Sequence, residues 1–109
     1  MKKTVLYVAF NSAVNPINAR SRFENLLVEH NGGFTRQDAV GGWRDDRDGS
    51  VFREESCIYT LHGLTDNTRL EISRWLARYT EERSILWEDA QGNGELEYLD
   101  ALREELVLV

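Results

Sequence analysis

Six consecutive apolar residues, Val5-Leu6-Tyr7-Val8-Ala9-Phe10, constrain this chain more than any other stretch. An apolar run rich in β-branched and aromatic residues suits a central strand, covered on both faces or paired along both edges. The run is too short for a membrane span or a signal-peptide core, even with the basic Met1-Lys2-Lys3-Thr4 ahead of it. No export or membrane insertion is expected.

The rest of the chain can be placed around that strand. Asn11-Ser12-Ala13-Val14-Asn15-Pro16 reads as a loop in which Asn15 caps a helix and Pro16 takes its first position. Ile17, Phe23, Leu26 and Leu27 keep approximate helical spacing as far as Glu29, and Asn31-Gly32-Gly33 stops the helix. Residues 34–40 have weak strand character, Gly41-Gly42-Trp43 follows, and Arg44-Asp45-Asp46-Arg47-Asp48-Gly49 makes a charged turn ending in Asp-Gly. Residues 51–61 then return as the second arm of a hairpin. Gly63-Leu64-Thr65-Asp66-Asn67 supplies a turn and an N-cap, and Leu70, Ile72, Trp75, Leu76 and Tyr79 share one helical face. Ser84-Ile85-Leu86-Trp87 and Glu95-Leu96-Glu97-Tyr98-Leu99 form a second hairpin around Gly92-Asn93-Gly94. The stretch from Ala101 to Val109 is either a short helix or an added edge strand.

This order, β-α-β-β-α-β with a C-terminal hairpin strand, predicts a ferredoxin-like α+β sandwich: an antiparallel sheet with strands one and three central and two helices on one face. With 109 residues the chain has room for one such domain, spanning 1–109. The second sheet face must also be covered, and subunit association is the usual means.

Composition narrows the chemistry. A formal net charge of −6 argues against a nucleic-acid binder, which needs clustered Lys and Arg to neutralise phosphates. It leaves two other partners open, a DNA-handling protein deceived by an acidic surface and a cationic small molecule. Cys57 is the only cysteine, so neither an internal disulfide nor a cysteine-based zinc site can form, and a reducing cytoplasm is expected. His30 and His62 lie near turns without metal-ligand spacing, and Gly92-Asn93-Gly94 opens no helix that could cradle a phosphate.

Glu54-Glu55 is the anomaly. Side chains alternate across a strand, so the two carboxylates point to opposite faces, and one of them falls on the helix side or in a cleft. The alternative is a frayed strand start at which both are solvated beside Arg53. Trp43, after Gly41-Gly42, either offers an aromatic face to a cationic ligand carrying a flat ring or is simply a core residue.

The strand ending Ala9-Phe10-Asn11, the stretch Gly42-Trp43 through Gly49-Ser50-Val51-Phe52-Arg53-Glu54-Glu55-Ser56, and Tyr79-Thr80-Glu81-Glu82-Arg83-Ser84-Ile85-Leu86 together resemble small phage S-adenosylmethionine (SAM) lyases, formerly called hydrolases. The resemblance implies a ferredoxin-like subunit in a homotrimer. It further implies a reaction, needing neither metal nor cofactor, that converts SAM to methylthioadenosine and homoserine lactone in the cytoplasm of a phage host, as a counter to restriction. By pattern, Glu54 corresponds to the family's substrate-orienting glutamate, with Glu55 as its rival, and Ser56 to the serine two positions later. Trp43 stands where the family has tyrosine, and so lacks a phenol hydroxyl. Ala9, Phe10, Asn11, Glu82 and Ser84 would line the substrate site, although Glu82-Arg83-Ser84 departs from the family's Gln-Glu-Ser-like run. A non-enzymatic acidic inhibitor of a host defence protein, or a domain that merely binds a small molecule, is the competing reading.

Overall fold

The computed structural model describes residues 1–108. The elements run β1 Lys3–Val8, α1 Pro16–Asn31, β2 Thr35–Arg44, β3 Val51–His62, α2 Asp66–Tyr79, β4 Ser84–Glu88, β5 Gly94–Tyr98 and α3 Asp100–Leu108. The five strands form one antiparallel sheet in the order β2-β3-β1-β4-β5, so β1 and β3 are interior as expected. The result is an α+β architecture with three helices, consistent with a ferredoxin-like fold.

Alternation sorts the strands into two faces. Leu6, Val8, Tyr59, Leu61, Ile85 and Trp87 point to the helix side and are buried with Phe23 and Leu27 of α1 and Ile72 and Leu76 of α2. Phe23 meets Phe10, Tyr59 and Trp75 at centroid separations of 5.3–5.5 Å, an aromatic knot that ties α1 to the sheet and to α2. The helix ends follow their sequence signals. The Asn15 side chain accepts the Asn18 N–H, Pro16 opens α1, and Gly32 at φ 84° closes it with its N–H on the Val28 carbonyl. The Thr65 hydroxyl caps α2 at Thr68.

Three expectations change. Gly41-Gly42-Trp43 lies inside β2, paired residue by residue with Glu54, Arg53 and Phe52. The glycines do not break the strand because they take no positive φ here, and the ladder to β3 supplies their backbone hydrogen bonds. Nor is Trp43 a core residue: it stacks on Phe52 at 4.6 Å, and about half of it is exposed. In α2, Leu70 and Tyr79 sit at the exposed margin of the apolar face that Ile72 and Leu76 bury. Of the two C-terminal alternatives, the chain takes the helix.

The positions of Glu54 and Glu55 follow from unequal strand lengths. β1 pairs with β3 only from Val8↔Cys57 to Lys3↔His62, so residues 51–56 pair with β2 alone. This distal half of the β2–β3 hairpin projects past β1 as an arm.

Candidate functional site

The chain leaving β1 turns across the base of the arm. Ala9 and Phe10 are buried, and the Ala13 N–H closes a turn on the Phe10 carbonyl at 3.0 Å. The Asn11 side-chain amide donates to the Glu55 carbonyl at 3.0 Å, fixing this turn to β3. Ser12 then reaches the segment between α2 and β4: its hydroxyl donates to Glu82 Oε1 and accepts the Glu81 N–H, both at 3.0 Å.

That second segment is held from below by α3. The Arg103 guanidinium donates to the carbonyls of Ala77 at 3.0 Å, Thr80 at 2.9 Å and Glu82 at 2.6 Å, and it pairs with Asp100 at 3.0 Å. Two of those carbonyls belong to the last turn and cap of α2, groups that helix geometry leaves without partners. One cation thus terminates α2 and fixes the backbone that carries Glu82.

Glu54 completes the cluster. It is half-buried and lies on the sheet face away from the helices, as do Phe52, Ser56 and Trp43 by alternation. Burial is the main reason that the Glu82 carboxyl is pushed above its usual range, and the negative charge of Glu54 pushes it further, while Ser12 and Arg103 act the other way. A cation entering between the two carboxylates would relieve both the desolvation and the repulsion. Directly across the ladder from Glu54 is Gly41, where an added Cβ would meet no atom within 4 Å. The register therefore leaves open space beside the carboxylate.

Glu55 points the other way, toward α1. It is exposed, but it lines a groove of about 380 Å³ with Phe10, Asn11, Pro16, Ile17, Arg20, Asp38, Ala39, Val40, Ser56 and Cys57. Behind this groove a polar chain runs under α1: the Tyr59 hydroxyl donates to Glu24 at 2.9 Å, Arg36 to Glu24 at 2.6 Å, and Arg36 contacts Asp38 at 3.0 Å. Burial pushes the Cys57 thiol up.

The structure therefore puts Glu54, Ser56 and Ser84 on one side of the sheet, with Trp43 farther out on the same face of the arm, and leaves Glu82, in the segment before β4, within reach of the Glu54 charge. Phe10, Asn11, Ser56 and Glu55 lie at the groove, and Ala9 supports the turn from inside. The Ser56 hydroxyl donates to the Val8 carbonyl at 3.4 Å, a long bond that leaves it free to choose another partner. Sequence reasoning missed Ser12 and Arg103. Ser12 carried no signal beyond its loop position, and Arg103 was concealed in a segment whose helical state was undecided. Among the described residues no cluster of His, Cys, Asp and Glu is arranged to hold a metal, and no helix is long and apolar enough to cross a membrane.

No protein-family model matches the chain, and no curated protein matches it in sequence. Among solved structures it is similar to a phage SAM lyase in complex with S-methyl-5'-thioadenosine, with a TM-score of 0.64 and 14% identity over 89% of this chain and 88% of that one. A phage SAM lyase in the apo state gives a TM-score of 0.60 and 10% identity over the same shares. A PII-like CutA protein from Nostoc sp. gives 0.52 and 14% identity over 100% of this chain and 93% of that one. At these identities the likeness establishes a shared fold.

Proposed function

We propose that the chain is a SAM lyase that releases methylthioadenosine and homoserine lactone. The observation that carries this reading is the half-buried Glu54 carboxylate beside the space left by Gly41, with Glu82 within reach of its charge, on a fold shared with a phage SAM lyase bound to S-methyl-5'-thioadenosine. In this reaction the substrate carboxylate attacks the side-chain carbon bonded to sulfur. The new C–O bond closes the lactone, and the breaking C–S bond leaves its electron pair on sulfur, which becomes a neutral thioether. No proton need move.

Charge bookkeeping assigns the carboxylates. The sulfonium loses its charge along the reaction coordinate, so a protein anion beside it would favour the ground state and raise the barrier. The ammonium keeps its charge throughout, and an anion there positions the substrate without opposing the chemistry. Glu54 and Glu82 are accordingly the ammonium anchor, Ser12 holds Glu82 in place, and the Trp43–Phe52 stack is the flat surface for the adenine. Trp43 and Phe52 are cross-strand partners two residues farther along the arm than Gly41 and Glu54, so the stack serves a site shared with a second copy of the chain. A homotrimer, in which each arm reaches a neighbour, provides such sites.

The rival reading, an acidic decoy, requires a continuous acidic surface. Here acids are repeatedly interrupted by arginines, as in Arg36 with Asp38, Arg47 with Asp45, and Arg69 with Glu95. Incubation of the purified protein with SAM, followed by chromatography for the two products, tests the proposal. Turnover is expected, with Glu54→Gln lowering kcat/KM by about 100-fold, the scale of losing one well-placed electrostatic group. Absence of both products, or a Glu54→Gln variant as active as the unmodified protein, would end the proposal.

A further inference from the structure

We propose that the outer surface of the helix layer carries a second ligand site, a groove across α2 that takes a flat aromatic ring bearing a single acidic group. It does not rest on the lyase reading. None of the residues lining this groove belongs to the site assigned to SAM, and α2 itself stands between the groove and the sheet, since its inner side, with Ile72 and Leu76, is buried in the core.

The outer groove has the size and lining of a small-molecule site. It has a volume of about 520 Å³ and is bounded by Leu26 of α1, Trp75 and Tyr79 of α2 and Leu106 of α3, within the roughly 300–1,000 Å³ usual for small ligands. Leu26, Trp75 and Leu106 are half-buried, and Tyr79 stays 41% exposed although it continues the apolar stripe of α2. Trp75 is anchored on its core side by Phe23 at 5.5 Å and meets Tyr79 at 4.9 Å. Two aromatic side chains are thus held in place from below and left partly wet above, so a ring laid against them removes apolar area from water at little cost in ordering.

The charges select the rest of the ligand. Arg74 and Arg78 stand one turn apart on the exposed side of α2, and both line the groove. Like charges at this spacing repel. Arg78 has no ion pair among the described residues, and Arg74 has only Glu71 at 3.8 Å, too long for a hydrogen bond. Arg22 of α1 adds a third cation, lying over the Tyr79 ring at 4.8 Å from its centroid. An anion shared by Arg74 and Arg78 turns their repulsion into attraction and uses donors that no described carboxylate occupies. Glu105 of α3 lines the same groove and repels a second acidic group, which limits the ligand to one. A neutral ring leaves the two arginines unpaired, and a bare acid leaves the aromatic surface wet. A molecule with both parts satisfies the whole groove.

Calorimetric titration of the full chain tests this with three probes: indole-3-acetate, its neutral analogue indole-3-ethanol, and acetate. Indole-3-acetate is expected to bind saturably, and each of the other two to bind at least about tenfold more weakly, a loss of about 1.4 kcal/mol. Arg74→Gln and Arg78→Gln should each weaken indole-3-acetate binding by about tenfold or more. Arg44→Gln, the same loss of charge placed on the arm, should leave it unchanged. Since Arg74 and Arg78 are exposed, thermal melts of both variants should match the unmodified chain and show that the loss is local. The proposal is overturned by no saturable binding up to about 10 mM indole-3-acetate, by indole-3-ethanol or acetate binding as well as indole-3-acetate, by either groove variant binding normally, or by Arg44→Gln weakening binding as much as they do.

Discussion

Glu82 has a consequence for stability as well as for chemistry. Because burial raises its pKa on folding, the folded chain holds the Glu82 proton more tightly than the unfolded chain. Its contribution is therefore complete below the unfolded pKa and is lost as pH rises through the folded value. Glu82→Gln, which can still accept from Ser12, is expected to raise Tm at pH 7, with the difference from the unmodified protein closing as pH falls toward about 4. Melting curves across that interval check it, and a variant less stable at pH 7 than at pH 4 relative to the parent would contradict it. Gly41 offers a cleaner separation of stability from activity. A side chain there meets nothing in the chain, and filling a strand glycine stabilises by roughly 0.5–1 kcal/mol. Gly41→Val should therefore melt no lower than the parent and yet lose SAM turnover, because the new isopropyl group occupies the space beside Glu54. Sequence alone predicted that Glu54 and Glu55 part to opposite faces if their strand is intact, since alternation is a property of any strand, and left a frayed strand start as the alternative. Which of them faced α1 depended on the register with β1, and one residue of slip reverses it.

At the level of elements, the termini of α1 and α2 were legible because caps are local chemistry: Asn15, Pro16, Gly32 and Thr65 each act within a few residues of themselves. β2 was harder to read, because Gly41 and Gly42 contribute no strand propensity of their own and are held extended by pairing with Glu54 and Arg53, which no local pattern reveals. The role of α3 was hidden for a similar reason, since its Arg103 acts on carbonyls 21 to 26 residues away in the chain. Replacing Arg103 by Ala leaves those carbonyls without a donor and should cost about 2 kcal/mol, on the scale of a lost bond to a charged group, measured by urea denaturation. Arg103→Lys, which can restore one or two of the bonds, should recover part of that. If α3 also acts through Glu82, Arg103→Ala will lower kcat/KM in the parent but have little further effect in a Glu82→Gln background. Equal losses in both backgrounds would limit α3 to a supporting role.

At the scale of the whole molecule, the helices cover one side of the sheet, and the other side presents Leu96 and Tyr98 of β5 and the Trp43–Phe52 stack of the arm to solvent. Apolar groups on an uncovered sheet favour self-association, and the proposed trimer gives a light-scattering mass near three times the 12.6 kDa of one chain. Leu96→Glu, placed on β5 away from Glu54 and Glu82, should shift the particle toward one chain and depress turnover with it. A single-chain mass for the unmodified protein would rule out sites shared between copies. Cys57 provides a way to follow motion in this assembly. Its thiol lies nearly buried at the floor of the groove between α1 and the root of the arm, and burial raises its pKa, so alkylation is slow while the groove keeps its width and quickens when its two walls move apart. The labelling rate of this one sulfur atom thus acts as a clock for the breathing of the hairpin against the helix.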